Sequence, residues 1–376
     1  MRVMILYEHC SPHQVTVLES ARQRFQTLGH TLIPVEFYYG SLDYGWTMGD
    51  KPRPAEWMCL FPEAQSISNY QRFRTVCKLV KQHKIDVLVL NGWYGLFAWW
   101  LVLIKKWLGC RIVMVSDSVH WDFPRTIVKE LPKKMLMKGV DAGFVAGAPQ
   151  AEYLRSLGVR ADRLTTGNDV VDNNLYAHIP VRSVPENRKI IIGTAARFIP
   201  KKNLAAALKT LAQVAKQHPD VQLEWRLAGR GPLEQELQQL AQEVGAPVVF
   251  RGFVGYYDMP GFYAELDLYW QPSLSEPWGL VVNEAMASGL PVLVSDRCGC
   301  GPDLVTKETG WIHGLSQEDM VAGLTSALKS RLHWPEMGEQ ARKLIGNWDE
   351  KRYSEGLLQA CFLATGQRDG QMRFSS

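Results

Sequence analysis

The stretch Pro272-Ser-Leu-Ser-Glu-Pro-Trp-Gly-Leu-Val-Val-Asn-Glu-Ala-Met-Ala-Ser-Gly-Leu-Pro-Val292, continued by Leu293-Val-Ser295, reads as strand end, loop, helix and strand in turn. The loop bears the carboxylate of Glu276. The helix opens near Gly279 and carries Glu284 one turn inside, beside an Ala285-Met-Ala-Ser-Gly289 run that asks for tight packing. A helix N-terminus leaves backbone N–H groups without partners at the positive end of a dipole, so Gly279 and Leu280 suit a phosphate. A carboxylate just before that terminus and another inside the helix suit sugar and ribose hydroxyls. Together they describe a site for a sugar nucleotide.

Outward from this stretch, short apolar runs alternate with amphipathic ones. Strands are expected at Arg2–Tyr7, Thr31–Phe37, Ile85–Leu90, Arg111–Val115 and Gly143–Ala146, then at Lys189–Ala195, Gln222–Ala228, Val248–Arg251, Leu268–Gln271 and Val292–Ser295. Helices are expected between them, among others at Val15–Leu28, Ser66–Gln82, Leu96–Leu108, Asn203–Gln217 and Gly279–Ser288. Strands apolar on both faces and separated by helices predict parallel sheets covered on both sides. The alternation restarts at Lys189, after the polar segment Pro180–Arg188 with its two prolines. The expected fold class is therefore α/β, with two Rossmann-like doubly wound domains facing across a cleft. The expected boundaries are 1–183, a linker at 184–188, 189–347, and a C-terminal helix over 348–376 that returns toward the first domain and ends in a frayed tail.

Composition bounds the rest. A chain of 376 residues exceeds one ordinary core, and 46% hydrophobic with 21% charged residues is globular. The net charge of +4 is uneven: residues 1–180 hold 21 Lys and Arg against 16 Asp and Glu, residues 181–376 hold 21 against 22. Basic clusters stand at Lys105-Lys106 and at Lys133-Lys134 with Lys138. This falls short of a nucleic-acid footprint. Seven irregularly spaced cysteines fit a reducing, cytoplasmic setting, and Cys298-Gly-Cys300 alone does not make a metal site. The opening Met1–Tyr7 reads as a strand and not as a signal peptide. The run Leu96–Ile104 is too short for a bilayer, which needs about 20 apolar residues. It reads as a buried helix, or as an interfacial one with Trp99, Trp100 and Trp107 at headgroup level and Lys105 and Lys106 toward the inner face of an anionic membrane.

Four pieces in order carry a resemblance: Gly193-Thr-Ala-Ala-Arg197 with Lys202-Asn203, Leu227-Ala-Gly-Arg-Gly-Pro232, Phe250-Arg-Gly-Phe253, and Glu276 through Glu284. From about Ile191 to Val305 the chain resembles the retaining glycosyltransferases of family 4, the group 1 glycosyltransferases of GT-B architecture. The first half is similar only loosely. It lacks the family's Gly-Gly loop after the first strand and reads Glu8-His-Cys-Ser-Pro-His-Gln14 instead. Ala195-Ala196 stands where Val-Gly is frequent, and Asp303 where Glu is.

The resemblance implies roles. Arg197 and Lys202 would take the diphosphate, with the Gly229 turn beside them and Phe253 near the base. Glu276 would meet donor-sugar hydroxyls at the reacting carbon, and Glu284 both ribose hydroxyls. Charge on the departing phosphate needs fixed partners, and no D-x-D pair at a strand end offers to hold a metal. Arg197, Lys202 and the helix N-terminus are the groups at hand, so no metal and no cofactor are expected. The substrate would be an NDP-sugar of UDP or GDP type. Across the cleft, Asp117 and His120 follow a strand and are candidates for orienting the acceptor, be it a glycan, a lipid or a small molecule. His9, His13 and the aromatics of Asn91–Gly95 are weaker candidates. The mechanism implied is front-face attack, retaining and metal-independent. A sugar-nucleotide epimerase, a phosphorylase, and a catalytically silent sugar-nucleotide-binding protein stay open as alternatives.

Overall fold

The computed structural model describes residues 1–38, 53–54, 56–62, 67–93, 95–123, 125–181 and 189–367. The expected linker 184–188, Tyr94 and most of the tail lie outside the described residues. The chain divides into two compact units, Met1–Val170 with Glu350–Ser376, and Val171–Asp349.

The first unit runs β1 (Arg2–Tyr7), α1 (Pro12–Thr27), β2 (Thr31–Glu36), β3 (Met58–Cys59), α2 (Asn69–Gln82), β4 (Val87–Asn91), α3 (Leu96–Leu108), β5 (Arg111–Ser116), α4 (Ile127–Met137), β6 (Ala142–Val145), α5 (Ala148–Ser156) and β7 (Leu164–Thr166). Its strands pair in parallel in the order β3-β2-β1-β4-β5-β6-β7. β1 and β4 are buried on both faces because helices cover both. α1 starts where it does because Ser11 and Gln14 form a reciprocal capping box, and Ser68 and Gln71 do the same for α2.

The second unit runs β8 (Ile190–Ala195), α6 (Leu204–Gln217), β9 (Leu223–Ala228), α7 (Glu234–Val244), β10 (Val248–Gly252), α8 (Met259–Ala264), β11 (Leu268–Gln271), α9 (Leu280–Ala287), β12 (Val292–Ser295), α10 (Gly301–Leu304), β13 (Gly310–His313), α11 (Gln317–Lys329) and α12 (Trp334–Ile345). Its parallel sheet has the order β10-β9-β8-β11-β12-β13. Strand order reverses between β8 and β11, so the loops after Ala195 and Gln271 open at the switch point where doubly wound sheets take ligands. The core of this unit gathers Ile192, Leu208, Trp225, Leu268 and Trp270, all buried.

The first unit ends near 170 and not at 183. Residues 171–181 pack on the second unit: Tyr176 sits edge-on to Tyr263 with ring centroids 5.8 Å apart, and Arg342 donates to the Ile179 carbonyl at 2.6 Å. The closing helix, α13 (Glu350–Thr365), belongs to the first unit. There the Tyr7 and Tyr353 hydroxyls lie 3.2 Å apart, and Thr165 donates to the Gly356 carbonyl at 2.9 Å.

Several elements go beyond the sequence expectation: β3, α4, β7, α10, β13 and α12. Trp99 and Trp100, expected in a buried helix or at headgroup level, are half-buried. Trp99 Nε1 donates to the Trp93 carbonyl, and the Trp100 ring packs edge-on against Phe73. Lys105 is half-buried in an ion pair with Asp141 at 2.6 Å. Lys106 and Trp107 stay exposed.

Candidate active site

The site grows from the β11 strand end. Leu268-Tyr-Trp-Gln271 is fully buried, and its polar groups are tied to one another. Tyr269 hydroxyl donates to Gln271 Oε1 at 2.8 Å and accepts from the Ala195 N–H at 3.3 Å. Gln271 Nε2 donates to Ser273 Oγ at 2.9 Å and to Glu276 Oε2 at 3.1 Å. Ser273 Oγ lies 3.4 Å from the same carboxylate oxygen. Lys202 Nζ completes the set in an ion pair with Glu276, both side chains mostly buried. A carboxylate with three kinds of donor is held in one orientation.

The backbone fixes the loop as well. The Glu276 N–H donates to the Arg297 carbonyl at 3.0 Å, its own carbonyl accepts from Gly299 at 2.9 Å, and Leu274 donates to the Lys201 carbonyl at 2.8 Å. The last bond joins the loop after β8 to the loop after β11, which is how Lys202 comes to face Glu276. Gly279 opens α9 at φ 107°, in the left-handed region, and no side chain caps the helix. A Cβ there would meet Glu276 Cγ at 3.2 Å. The first amides of α9 are thus left without a side-chain cap beside Glu276 and Lys202.

Gly229 explains the second turn. Its φ is 135°, and a Cβ would fall 1.8 Å from the Ala196 carbonyl oxygen. Only glycine lets β9's loop lie against the segment that carries Arg197. Arg197 itself is exposed. Phe253 is 58% exposed after β10.

Glu284 has a separate setting. Tyr263 hydroxyl donates to Glu284 Oε2 at 2.7 Å. The residue keeps some exposed surface, yet its carboxyl is hemmed in by protein, and burial pushes it up to about 7 against the pull of Tyr263 and Tyr176. Burial first, and then the Glu284 carboxylate, raise the Tyr263 and Tyr176 phenols. Cys298 is buried beside Ser295, and burial pushes its thiol up to about 12, where it is not a thiolate at neutral pH.

The structure therefore gathers Lys202, Glu276, Gly279 and Leu280 in the second unit, with Glu284 further along the same helix. Asp117 and His120 lie in the first unit, exposed on the loop after β5. The His120 ring packs edge-on to Tyr153 with centroids 5.1 Å apart. Gln271, Ser273, Tyr263 and Tyr176 are site neighbours that the sequence reading missed. The one usable signal was Gln271, a polar residue closing an apolar strand. A hollow of about 370 Å³ in the first unit, bordered by Arg111, Lys138, Arg160 and Arg163, includes none of the expected site residues. Among the described residues no group of three or more His, Cys, Asp or Glu is assembled as metal ligands would be.

Two parallel Rossmann-like sheets, with a polar cluster at the switch point of the second, define the GT-B class of α/β proteins. Residues 178–344 match the family model for glycosyl transferases group 1. The sulfoquinovosyl transferase of Arabidopsis thaliana is 26% identical over 337 residues, covering 85% of this chain and 63% of that protein. The D-inositol 3-phosphate glycosyltransferase of Rhodococcus erythropolis is 29% identical over 284 residues, covering 72% of this chain and 64% of that protein. The chain thus spans a little under two thirds of these curated relatives. Among solved structures, the lipopolysaccharide outer core galactosyltransferase WaaB superposes with a TM-score of 0.75 at 13% identity, covering 96% of this chain and 99% of that one. Anabaena HepE in complex with UDP and glucose gives 0.70 at 17%, covering 96% and 98%. At such identities the superpositions speak for the fold.

Proposed function

We propose that the chain is a retaining, metal-independent glycosyltransferase of the family 4 type. It moves a hexose-type sugar from a UDP or GDP sugar to the hydroxyl of a glycan, lipid-linked or small-molecule acceptor. The observation that carries this reading is the Lys202–Glu276 pair beside the uncapped start of α9. The names of the two curated relatives above, both transferases, support it over the epimerase and silent-binder alternatives.

In this reading the diphosphate lies on the amides of Gly279 and Leu280, gripped by Arg197 and met by Lys202 as a point charge. Lys202 then turns from Glu276 to the phosphate, which frees Glu276 for the donor-sugar hydroxyls. Glu284 takes the ribose, and Phe253 covers the base. The departing phosphate oxygen accepts the acceptor's proton as the new bond forms on the same face. The protein supplies position and charge rather than a nucleophile. Asp117 and His120 remain proposed for orienting the acceptor.

The test is a calorimetric screen of UDP, GDP, ADP and their common sugars, followed by turnover of whichever donor binds, with and without chelator. Binding of one NDP-sugar, with turnover surviving chelation, is expected. Failure of every NDP-sugar to bind would overturn the reading, and complete loss with chelator would overturn its metal-free part.

A further inference from the structure

The first unit carries a surface for which the donor site has no use. α3 and α4 are neighbours, and the turn that follows α4 comes so close to α3 that a Cβ on Gly139 would meet Val102 Cγ1 at 2.5 Å. α4 buries only Leu136 and Met137. Its other large apolar side chains, Ile127, Val128, Leu131 and Met135, stand 55–84% exposed. Ile127, Leu131 and Met135 follow one another at four-residue spacing and form one stripe along the helix. α3 buries Phe97, Ala98, Leu101, Val102 and Leu108 yet also leaves Leu96, Leu103 and Trp107 57–77% exposed, at spacings of seven and four. Single exposed apolar residues are ordinary, but two adjoining stripes form a patch.

Charge singles out the same face. α2, α3 and α4 together hold nine Lys and Arg and one acidic residue, Glu130; from outside these helices Glu8 pairs with Arg72 and Asp141 with Lys105. Glu130 is already engaged by Lys133 at 2.8 Å and by Tyr153 at 2.9 Å. Lys106, Lys129 and Lys134 are exposed on the same two helices. By contrast α1 and α13 hold four basic and three acidic residues, so the excess is not a property of the whole unit.

We propose that this face docks on an anionic lipid bilayer. Leu103, Trp107, Ile127, Leu131 and Met135 enter the acyl boundary, and Lys106, Lys129 and Lys134 meet headgroup phosphates. The charge argues against a second copy of the chain, which would set basic face on basic face. The aliphatic stripes argue against nucleic acid, which has no surface to receive them. α4 begins just after the carboxyl end of β5, the end of such a sheet where ligands lie. On the transferase reading, docking therefore presents the acceptor-side loops to a hydroxyl carried at the lipid surface. No described helix is long and apolar enough to cross a membrane, and docking requires none.

The test is co-sedimentation of the full chain with phosphatidylcholine vesicles, with and without phosphatidylglycerol, at low and high salt. NDP-sugar binding is measured on the same preparations. The wild type is expected to pellet with the anionic vesicles and to be released by salt. Leu131→Glu with Met135→Glu should stay in the supernatant, and Ile127→Ser should weaken partition. Lys129→Ala with Lys134→Ala should weaken it about 25-fold, at about fivefold per lysine near the surface. All variants should bind NDP-sugar like the wild type, since the changes are exposed and in the other unit. Wild type that stays in solution with anionic vesicles, or a Leu131→Glu, Met135→Glu variant that pellets like wild type, would overturn the proposal. Sedimentation without NDP-sugar binding would instead strike the transferase reading and leave the docking face standing.

Discussion

The two sheets share the strand order around their switch points and differ in how the first turns of the helices there are satisfied. In the first unit β1 lies between β2 and β4; α1, after β1, has a capping box, and α3, after β4, starts at Gly95 with no side-chain cap of its own. Ser11 and Gln14 close α1, and Asn69 Oδ1 accepts the Phe97 N–H of α3 at 3.3 Å. In the second unit the switch lies between β8 and β11, and neither α6 nor α9 has a side-chain cap. Satisfied amides stabilise a fold; open ones next to Lys202 await an anion. One architecture thus yields a structural terminus in one unit and a candidate phosphate site in the other, and the loops decide which.

The change that should break this contrast most is Glu276→Ala. Turnover should fall at least about a hundredfold, because the donor sugar loses the group that positions it. NDP binding should persist, as calorimetry would show; unchanged turnover would remove Glu276 from the site. Next in size is Gly229→Ala. The new Cβ meets the Ala196 carbonyl at a positive φ, so denaturant unfolding should show a loss of about 2–4 kcal/mol. A variant as stable as wild type would mean that the turn next to Arg197 is loose.

Glu284→Gln sharpens the contrast through pH. The carboxyl is raised from 4.5 to about 7, so the folded chain keeps a proton that the unfolded chain releases. Its stabilising contribution is full below about 4.5 and is lost as pH rises through about 7, on the order of 3 kcal/mol in all. Affinity for the ribose should run the other way and strengthen above pH 7, where the carboxylate accepts both hydroxyls. An NDP-sugar has no phosphate titrating there, so calorimetry from pH 6 to 8 isolates the effect. Glu284→Gln should flatten both profiles. A sloping profile in the variant would assign the titration elsewhere. The smallest effect belongs to Ser11→Ala, which should cost about 1 kcal/mol in thermal unfolding and leave donor binding untouched. Altered donor binding would show that the α1 terminus is not merely structural.

Much of this arrangement was written locally. The alternation of β8 through β12 with their helices follows from apolar runs and breakers, and Glu276, Gly279 and Glu284 announce themselves by spacing. What was hidden is either inverted or long-range. α4 buries two residues, turns its apolar stripe outward and contains Pro132, so its pattern does not read as a core helix. β13 is a four-residue strand with only its end residues buried. The Tyr269–Gln271–Ser273 ladder shows in the sequence only as a polar residue closing an apolar strand, because its hydrogen bonds join side chains that sequence spacing does not pair. The unit boundary near 170 depends on Tyr176 finding Tyr263, 87 positions away.

The direct measurement is the crystal structure of the chain soaked with an NDP-sugar it binds. The account predicts the diphosphate against the Gly279 and Leu280 amides, with Arg197 and Lys202 on its oxygens and Lys202 released from Glu276. A diphosphate seated elsewhere, with the Lys202–Glu276 pair intact, would contradict it.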